Sequence, residues 1–377
     1  MNTVYKPLST AHFNADRITE TIQRALASAG LDTSNGPMHG VTETIRRALS
    51  SGAAPSAGAH DSAPRSSSPD ALRAPGRFIS GDFSNRAGTR AYKLYVPSKT
   101  PDSPPPLIVM LHGCTQSADD FARGTQMNSL AEENGFLVLY PEQAAGANAS
   151  RCWNWFQPRD QKRDKGEPSL IAGMVREVAR TYGADERRIF VAGLSAGAAM
   201  AVVLGETYPD IFAAVGAHSG LPFASAHDIP SAMAAMKGGR GKSGSAEASG
   251  TRRGGQNSRQ AVPTIVFHGD RDHTVQHSNG AAILEQASEA HAATDDADAT
   301  PLVPSTERGT AAGGRTFSRS THAEADGRPH LEFWTVHGAG HAWSGGDATG
   351  SYTDGKGPDA SAEMVRFFLA QPRAGSA

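Results

Sequence analysis

Apolar residues in this chain fall into short continuous runs, each closed by a bend of small or polar residues. Residues 107–111, 136–141, 188–192, 213–220, 264–267 and 331–336 are such runs. Runs this short, apolar at successive positions, read as strands buried on both faces of a sheet. Residues 91–96 alternate instead, the pattern of an edge strand. Between the runs the period changes. Residues 169–182 place Ile171, Val175 and Val178 on one helical face, residues 198–204 form a small-residue helical run, and residues 360–369 form a closing helix. Strands alternating with helices predict an α/β fold with a mostly parallel, doubly wound sheet.

Two regions break this rhythm. Residues 18–26 (Ile18 to Leu26) are echoed by residues 41–49 (Val41 to Leu49) at an offset of 23 residues. Their apolar spacing predicts two short amphipathic helices, so residues 1–50 are expected to form a helical N-terminal extension. Such helices are marginal alone and need a surface to cover their stripe. That surface can be each other, the following domain, a second copy or a polymer granule. Residues 51–76 are rich in Ser, Ala, Pro and Gly and read as a flexible linker. The main domain is expected over residues 77–371, with residues 238–260 and 294–314 as disordered insertions. After these, residues 316–321, a turn at residues 325–328 and residues 331–336 read as a hairpin.

Composition narrows the classes. The chain has 377 residues, with 36 Lys and Arg against 38 Asp and Glu for a net charge of −2. That balance gives no electrostatic reason for a nucleic-acid partner. No apolar run approaches the roughly 20 residues of a bilayer span. The first residues are polar and lack a secretory signal pattern, which favours a cytoplasmic protein, with export as the alternative. Two cysteines, Cys114 and Cys152, do not make a disulfide scaffold.

The candidate chemistry lies where strands end. Gly193-Leu194-Ser195-Ala196-Gly197 is a G-x-S-x-G pentapeptide between an apolar run and a helical run. That context makes it a nucleophile elbow, a tight turn that lifts the Ser195 hydroxyl out of the sheet. The run at 264–267 leads into His268-Gly269-Asp270-Arg271-Asp272, and the run at 331–336 into His337-Gly338-Ala339-Gly340-His341. Ser195, Asp272 and His341 then occur in the chain order of α/β-hydrolases. His341 would be the general base, and Asp272 would orient it. Asp270 and His337 compete for these roles; spacing favours Asp272, and the flexible Gly-Ala-Gly-His segment favours His341. The oxyanion donors would be the backbone N–H of Ala196 and, in the loop after residues 107–111, that of Cys114. His112 and His268 read as structural histidines that bond loop backbone. Trp153, Trp155 and Trp343 lie in motif loops and are expected to line an apolar substrate cleft, the alternative being that some of them, Trp155 above all, belong to the core. No metal-ligand cluster and no phosphate-cradling loop is present, so neither metal nor cofactor is expected.

Residues 111–116, 152–156, 193–197 and 340–346 together resemble the esterases of the polyhydroxybutyrate (PHB) depolymerase family, which also contains feruloyl and acetylxylan esterases. The resemblance runs from about Arg77 to Gln371. It implies an α/β-hydrolase fold and a serine esterase acting through a Ser-His-Asp triad on poly(3-hydroxybutyrate)-type polyesters or their oligomers. It also implies that Cys114 and Cys152 can pair. At position 198 the family usually has a further glycine, whereas this chain has Ala198. Eight residues follow Leu369, so no polymer-binding module is expected there, and soluble or amorphous esters are the expected substrates. Two alternatives stand beside this reading. One is a feruloyl or acetylxylan esterase of the same mechanism; the other is a non-catalytic protein that binds granules through its N-terminal helices.

Overall fold

The computed structural model describes residues 76–99, 103–239, 261–293, 301–371 and 373. The helices expected in residues 1–50, all of the expected linker but Gly76, and residues 240–260 lie outside the described residues.

The short apolar runs become strands because a sheet covered on both faces buries every side chain of a run that is too short for a helix. Strands β3 (Leu107–Leu111), β4 (Leu137–Pro141), β5 (Ile189–Leu194), β6 (Ala214–His218) and β7 (Thr264–Gly269) are buried along their whole length. With β1 (Arg77–Asn85), β2 (Gly88–Val96), β8 (Val303–Thr310), β9 (Thr316–Ala323) and β10 (Pro329–Val336) they form one ten-stranded sheet. Its order is β1-β2-β4-β3-β5-β6-β7-β10-β9-β8. The central six, β4 to β10, run parallel, and antiparallel pairs finish both sides. The 91–96 segment is therefore not an edge: β1 pairs outside it over residues 77–85.

Helices cover both faces, as a doubly wound sheet requires. Helices α3 (Gly166–Tyr182), α4 (Ala196–Thr207) and α6 (Ser278–Ala292) bury Ile171, Val175, Met200, Val203 and Ile283 in one core layer. Helices α1 (Ala118–Thr125), α2 (Met127–Asn134) and α7 (Ala360–Leu369) bury Phe121, Met127, Met364, Phe367 and Phe368 in the other. Helix α4 is apolar nearly all round because it lies directly under the sheet and beneath α3. Helix α3 ends at Gly183, whose φ of 63° is the left-handed cap that glycine takes without strain. Helix α5 (Ile229–Met236) follows β6.

Of the expected insertion 294–314, residues 294–300 lie outside the described residues, and the remainder is not a disordered loop. Val303–Thr310 is strand β8, paired with β9 in unbroken register from Val303↔Ala323 to Thr310↔Thr316. Its side chains are almost all exposed on both faces, so it carries no apolar alternation to read. The hairpin from β9 to β10 turns through Gly327, whose φ is 86°.

The chain leaves β3 for β4 on one side, then crosses back to β5 on the other. This reversal opens a crevice beyond the carboxyl ends of β3 and β5, the place where open parallel sheets hold their sites.

Candidate active site

Ser195 sits in that crevice, one residue past β5. Its φ of 58° and ψ of −118° lie in a region that side chains rarely adopt. Strain of this kind persists only where the surroundings enforce it, and it accumulates at functional positions. Here the two flanking glycines enforce it. A Cβ on Gly197 would lie 2.6 Å from His112 O and closer still to Leu111 O. A Cβ on Gly193 would lie 2.5 Å from Gly197 O. The β5–α4 turn therefore packs directly on the end of β3. Ala198, the departure from the family glycine, is accommodated by a second glycine: a Cβ on Gly220 would lie 2.8 Å from the Ala198 methyl.

Helix α4 begins at Ala196, so the Ala196 amide points along the helix axis beside the serine with no intrahelical partner. The second expected donor, the Cys114 amide, lies on the loop after β3. Among the described residues neither amide donates to a protein acceptor. The β3 loop is fixed from several sides. Gly113 N donates to Gln116 Oε1 at 2.9 Å, and Thr115 N donates to Ser150 O at 2.7 Å. Cys114 and Cys152 form a disulfide. His112 donates from Nδ1 to Gly113 O at 2.7 Å and accepts at Nε2 from Gln143 N at 3.1 Å. Its burial lowers its pKa, so the ring stays neutral in this tautomer.

Asp272 follows β7 and His341 follows β10, the parallel neighbour of β7. His341 Nδ1 donates to Asp272 Oδ2 at 2.7 Å, which leaves Nε2 with its lone pair. Asp272 Oδ1 accepts from Thr274 N and Val275 N, both at 2.9 Å. Burial alone would raise the Asp272 carboxyl. The His268 N–H beside it, the hydrogen bond from His341, the positive charge His341 can carry and the Val275 amide outweigh burial, and the group is held well below the usual carboxylate range. His268 therefore does more than bond loop backbone. Its Nε2 donates to Val275 O at 2.9 Å and lies 3.5 Å from Asp272 Oδ2, behind the carboxylate.

The competing pair is separate. His337 Nδ1 bonds Asp270 Oδ2 at 2.9 Å and His337 Nε2 bonds Ser318 Oγ at 2.9 Å. Gly338 N donates to Asp270 Oδ1 at 2.7 Å and Arg271 N to Ala339 O at 3.0 Å. These bonds fasten the loop bearing His341 onto the loop bearing Asp272. Gly269 permits the contact, since a Cβ there would lie 2.7 Å from Gly340 O.

Among the described residues no hydrogen bond joins Ser195 Oγ to His341. Their loops are joined through His218, the last residue of β6, which the sequence reading passed over. His218 O accepts from Ser195 N at 2.9 Å, and His218 Nε2 accepts from Ser344 N at 2.9 Å, three residues past His341. The ring stacks on Trp343 at 5.1 Å and on Phe267 at 5.8 Å. Complete burial lowers its pKa to about 3, so it is a neutral acceptor at physiological pH. The signal was a histidine at the carboxyl end of an apolar run, one strand from the serine.

The three tryptophans take the core placement and not the cleft lining. Trp153, Trp155 and Trp343 are 0%, 6% and 1% exposed, so they do not line an open cleft. Trp153 packs near His112, Trp155 sits edge-on to Phe156, and Trp343 sits edge-on to Phe121 with Nε1 donating to Ser361 at 3.0 Å. They support the site loops from beneath. Among the described residues no helix is long and apolar enough to cross a membrane.

Similarity to known proteins follows the same stretch of chain. The model of the family described as Esterase PHB depolymerase matches residues 90–301. Poly(3-hydroxyalkanoate) depolymerase C of Paucimonas lemoignei is 34% identical over 72% of this chain and 62% of its own. Feruloyl esterase B of Talaromyces funiculosus is 35% identical over 38% of this chain and 40% of its own. This chain thus spans less than two thirds of the length of either relative. The acetyl xylan esterase structure from Aspergillus awamori superposes with a TM-score of 0.58 at 22% identity, over 74% of this chain and 94% of that one, and shares the α/β-hydrolase fold.

Proposed function

The chain belongs to the PHB depolymerase esterase family, and from that premise we propose that it is a serine esterase hydrolysing ester bonds of poly(3-hydroxybutyrate)-type polyesters or their oligomers. The observation that carries the reading is the His341–Asp272 pair at 2.7 Å, on the same sheet edge as the strained Ser195 turn. In this mechanism Ser195 Oγ attacks the ester carbonyl while His341 Nε2 takes its proton. His341 then returns that proton to the departing alcohol oxygen. Water, deprotonated by the same nitrogen, releases the acid from the acyl-enzyme. Asp272 holds the imidazole with Nε2 toward the serine and stabilises its cation. The Cys114 and Ala196 amides receive the oxyanion, and donors of this kind typically contribute about 3 kcal/mol each.

The polyester is preferred to a plant-wall ester because the depolymerase similarity spans 72% of this chain against 38% for the feruloyl esterase. The Cys114–Cys152 disulfide supports an oxidising compartment, and with it the exported alternative over the cytoplasmic one. The test is hydrolysis by wild type and Ser195→Ala of short p-nitrophenyl esters, 3-hydroxybutyrate oligomers, amorphous PHB and methyl ferulate. The expected result is preference for the oligomers, lost in the variant. Preference for methyl ferulate would transfer the mechanism to a feruloyl substrate, and full activity in Ser195→Ala would overturn it.

A further inference from the structure

With the tryptophans buried, a different ring lies between the two site loops. Tyr352 is 47% exposed, and it is the aromatic among the large, well-exposed apolar side chains of the described residues. Its hydroxyl lies 3.2 Å from Thr115 Oγ1, next to the Cys114 amide. Its carbonyl accepts from Trp343 N at 2.7 Å, two residues past His341. The residue thus spans the two loops that carry the expected oxyanion donor and the expected base.

The segment around it is rigid. Ser351 N donates to Asp120 Oδ1 at 3.0 Å, Ser351 Oγ also bonds Asp120, and Gln116 Nε2 donates to Ser351 O at 3.1 Å. Thr353 and Asp354 pair with Trp343 and Ser344. Within this clamp Tyr352 has a φ of 52°, a left-handed conformation that glycine takes freely and a bulky residue takes only at a cost. Glycine would meet the demand of the backbone, yet an exposed aromatic stands there. Burial does not account for it, and the hydroxyl contact uses one atom of a large ring.

We infer that Tyr352 is a specificity-determining residue whose ring packs against the alkyl group flanking the scissile ester once the ester carbonyl is seated at the Cys114 amide. The inference rests on the esterase reading above. A methyl-bearing hydroxyalkanoate unit presents the apolar surface such a ring face covers. An acetyl ester is too short on its acyl side to use it.

The test compares wild type, Tyr352→Gly and Tyr352→Phe on the 3-hydroxybutyrate trimer, methyl ferulate and p-nitrophenyl acetate. In Tyr352→Gly the ratio of kcat/KM on trimer to that on acetate falls about tenfold, carried by KM for the trimer, as expected for one aromatic contact. Tyr352→Phe keeps the ratio within about twofold. Glycine accepts the local φ without strain, so the Gly variant stays folded and its thermal midpoint separates lost contact from lost structure. An unchanged ratio in the Gly variant overturns the inference. An equal fall in the Phe variant also overturns it, since the hydroxyl bridge to Thr115 would then be the cause. Wild-type turnover of ferulate and not of trimer refutes the polyester reading, and the ferulate-to-acetate ratio then decides on Tyr352 in the same way. Turnover of no ester overturns both.

Discussion

Replacing His218 by phenylalanine tests whether the joint between the serine and histidine loops is a neutral acceptor. Phenylalanine keeps the stacking on Trp343 and Phe267 but removes the acceptor of the Ser344 amide, which is buried with its residue at 2% exposure. An orphaned buried donor costs about 1–3 kcal/mol, so the variant is less stable than wild type by that amount at pH 7.5. Acid changes the comparison. The folded pKa of about 3 lies below the ordinary 6.5, so the unfolded chain binds a proton at His218 that the folded chain does not. The contribution of the neutral His218 ring to wild-type stability is therefore complete above pH 6.5 and is lost as pH falls through that value toward 3. At pH 5, about 1.5 pH units below the unfolded value, the loss is about 2 kcal/mol. The phenylalanine variant carries no such proton, while the other titrating groups are common to both proteins. Urea unfolding at pH 7.5 and pH 5, extrapolated to water, should thus show the gap between wild type and His218→Phe shrinking by about 2 kcal/mol. A gap of the same size at both pH values would refute the assignment of His218 as a buried neutral ring.

Three further outcomes follow from the same geometry. Asp272→Asn keeps a hydrogen bond to His341 but stabilises the wrong tautomer, and kcat on a p-nitrophenyl ester should fall about 10⁴-fold with the circular dichroism spectrum retained. Gly197→Ala drives a methyl against Leu111 O and His112 O. The β3 loop and the elbow must then separate, costing about 1–3 kcal/mol in urea unfolding together with most of kcat; an unaltered enzyme would contradict the packing described. Replacing both Cys114 and Cys152 by serine opens a link between residues 38 apart in sequence. Chain entropy predicts a loss of about 2–4 kcal/mol. Freeing the Cys114 amide should lower kcat more than it raises KM, measured by steady-state kinetics.

Much of the protein was legible without coordinates, and the reason is local. The runs at 107–111, 189–194 and 264–269 are apolar at nearly every position because a doubly covered parallel strand leaves no polar face. The G-x-S-x-G turn was legible because its two glycines meet a steric demand that no side chain can satisfy, and Asp272 and His341 were legible as polar residues just past such runs. What escaped depends on neighbours distant in sequence. β8 has no apolar face because it lies at the outer edge of the sheet, paired on one side, and only β9 shows it to be a strand. Trp153, Trp155 and Trp343 carry the same composition whether they line a cleft or support a loop, and only the layers packed over them decide. The partition of Asp270 with His337 and Asp272 with His341 was set by how the loop after β10 folds across the loop after β7. His218 became a joint only when β6 aligned its end beside the elbow. Sequence alone thus determined which strands are central and which turn bears the serine, since those demands act between adjacent residues. Tertiary structure decided which polar groups meet and which rings face solvent, because both depend on segments that the chain brings together only on folding.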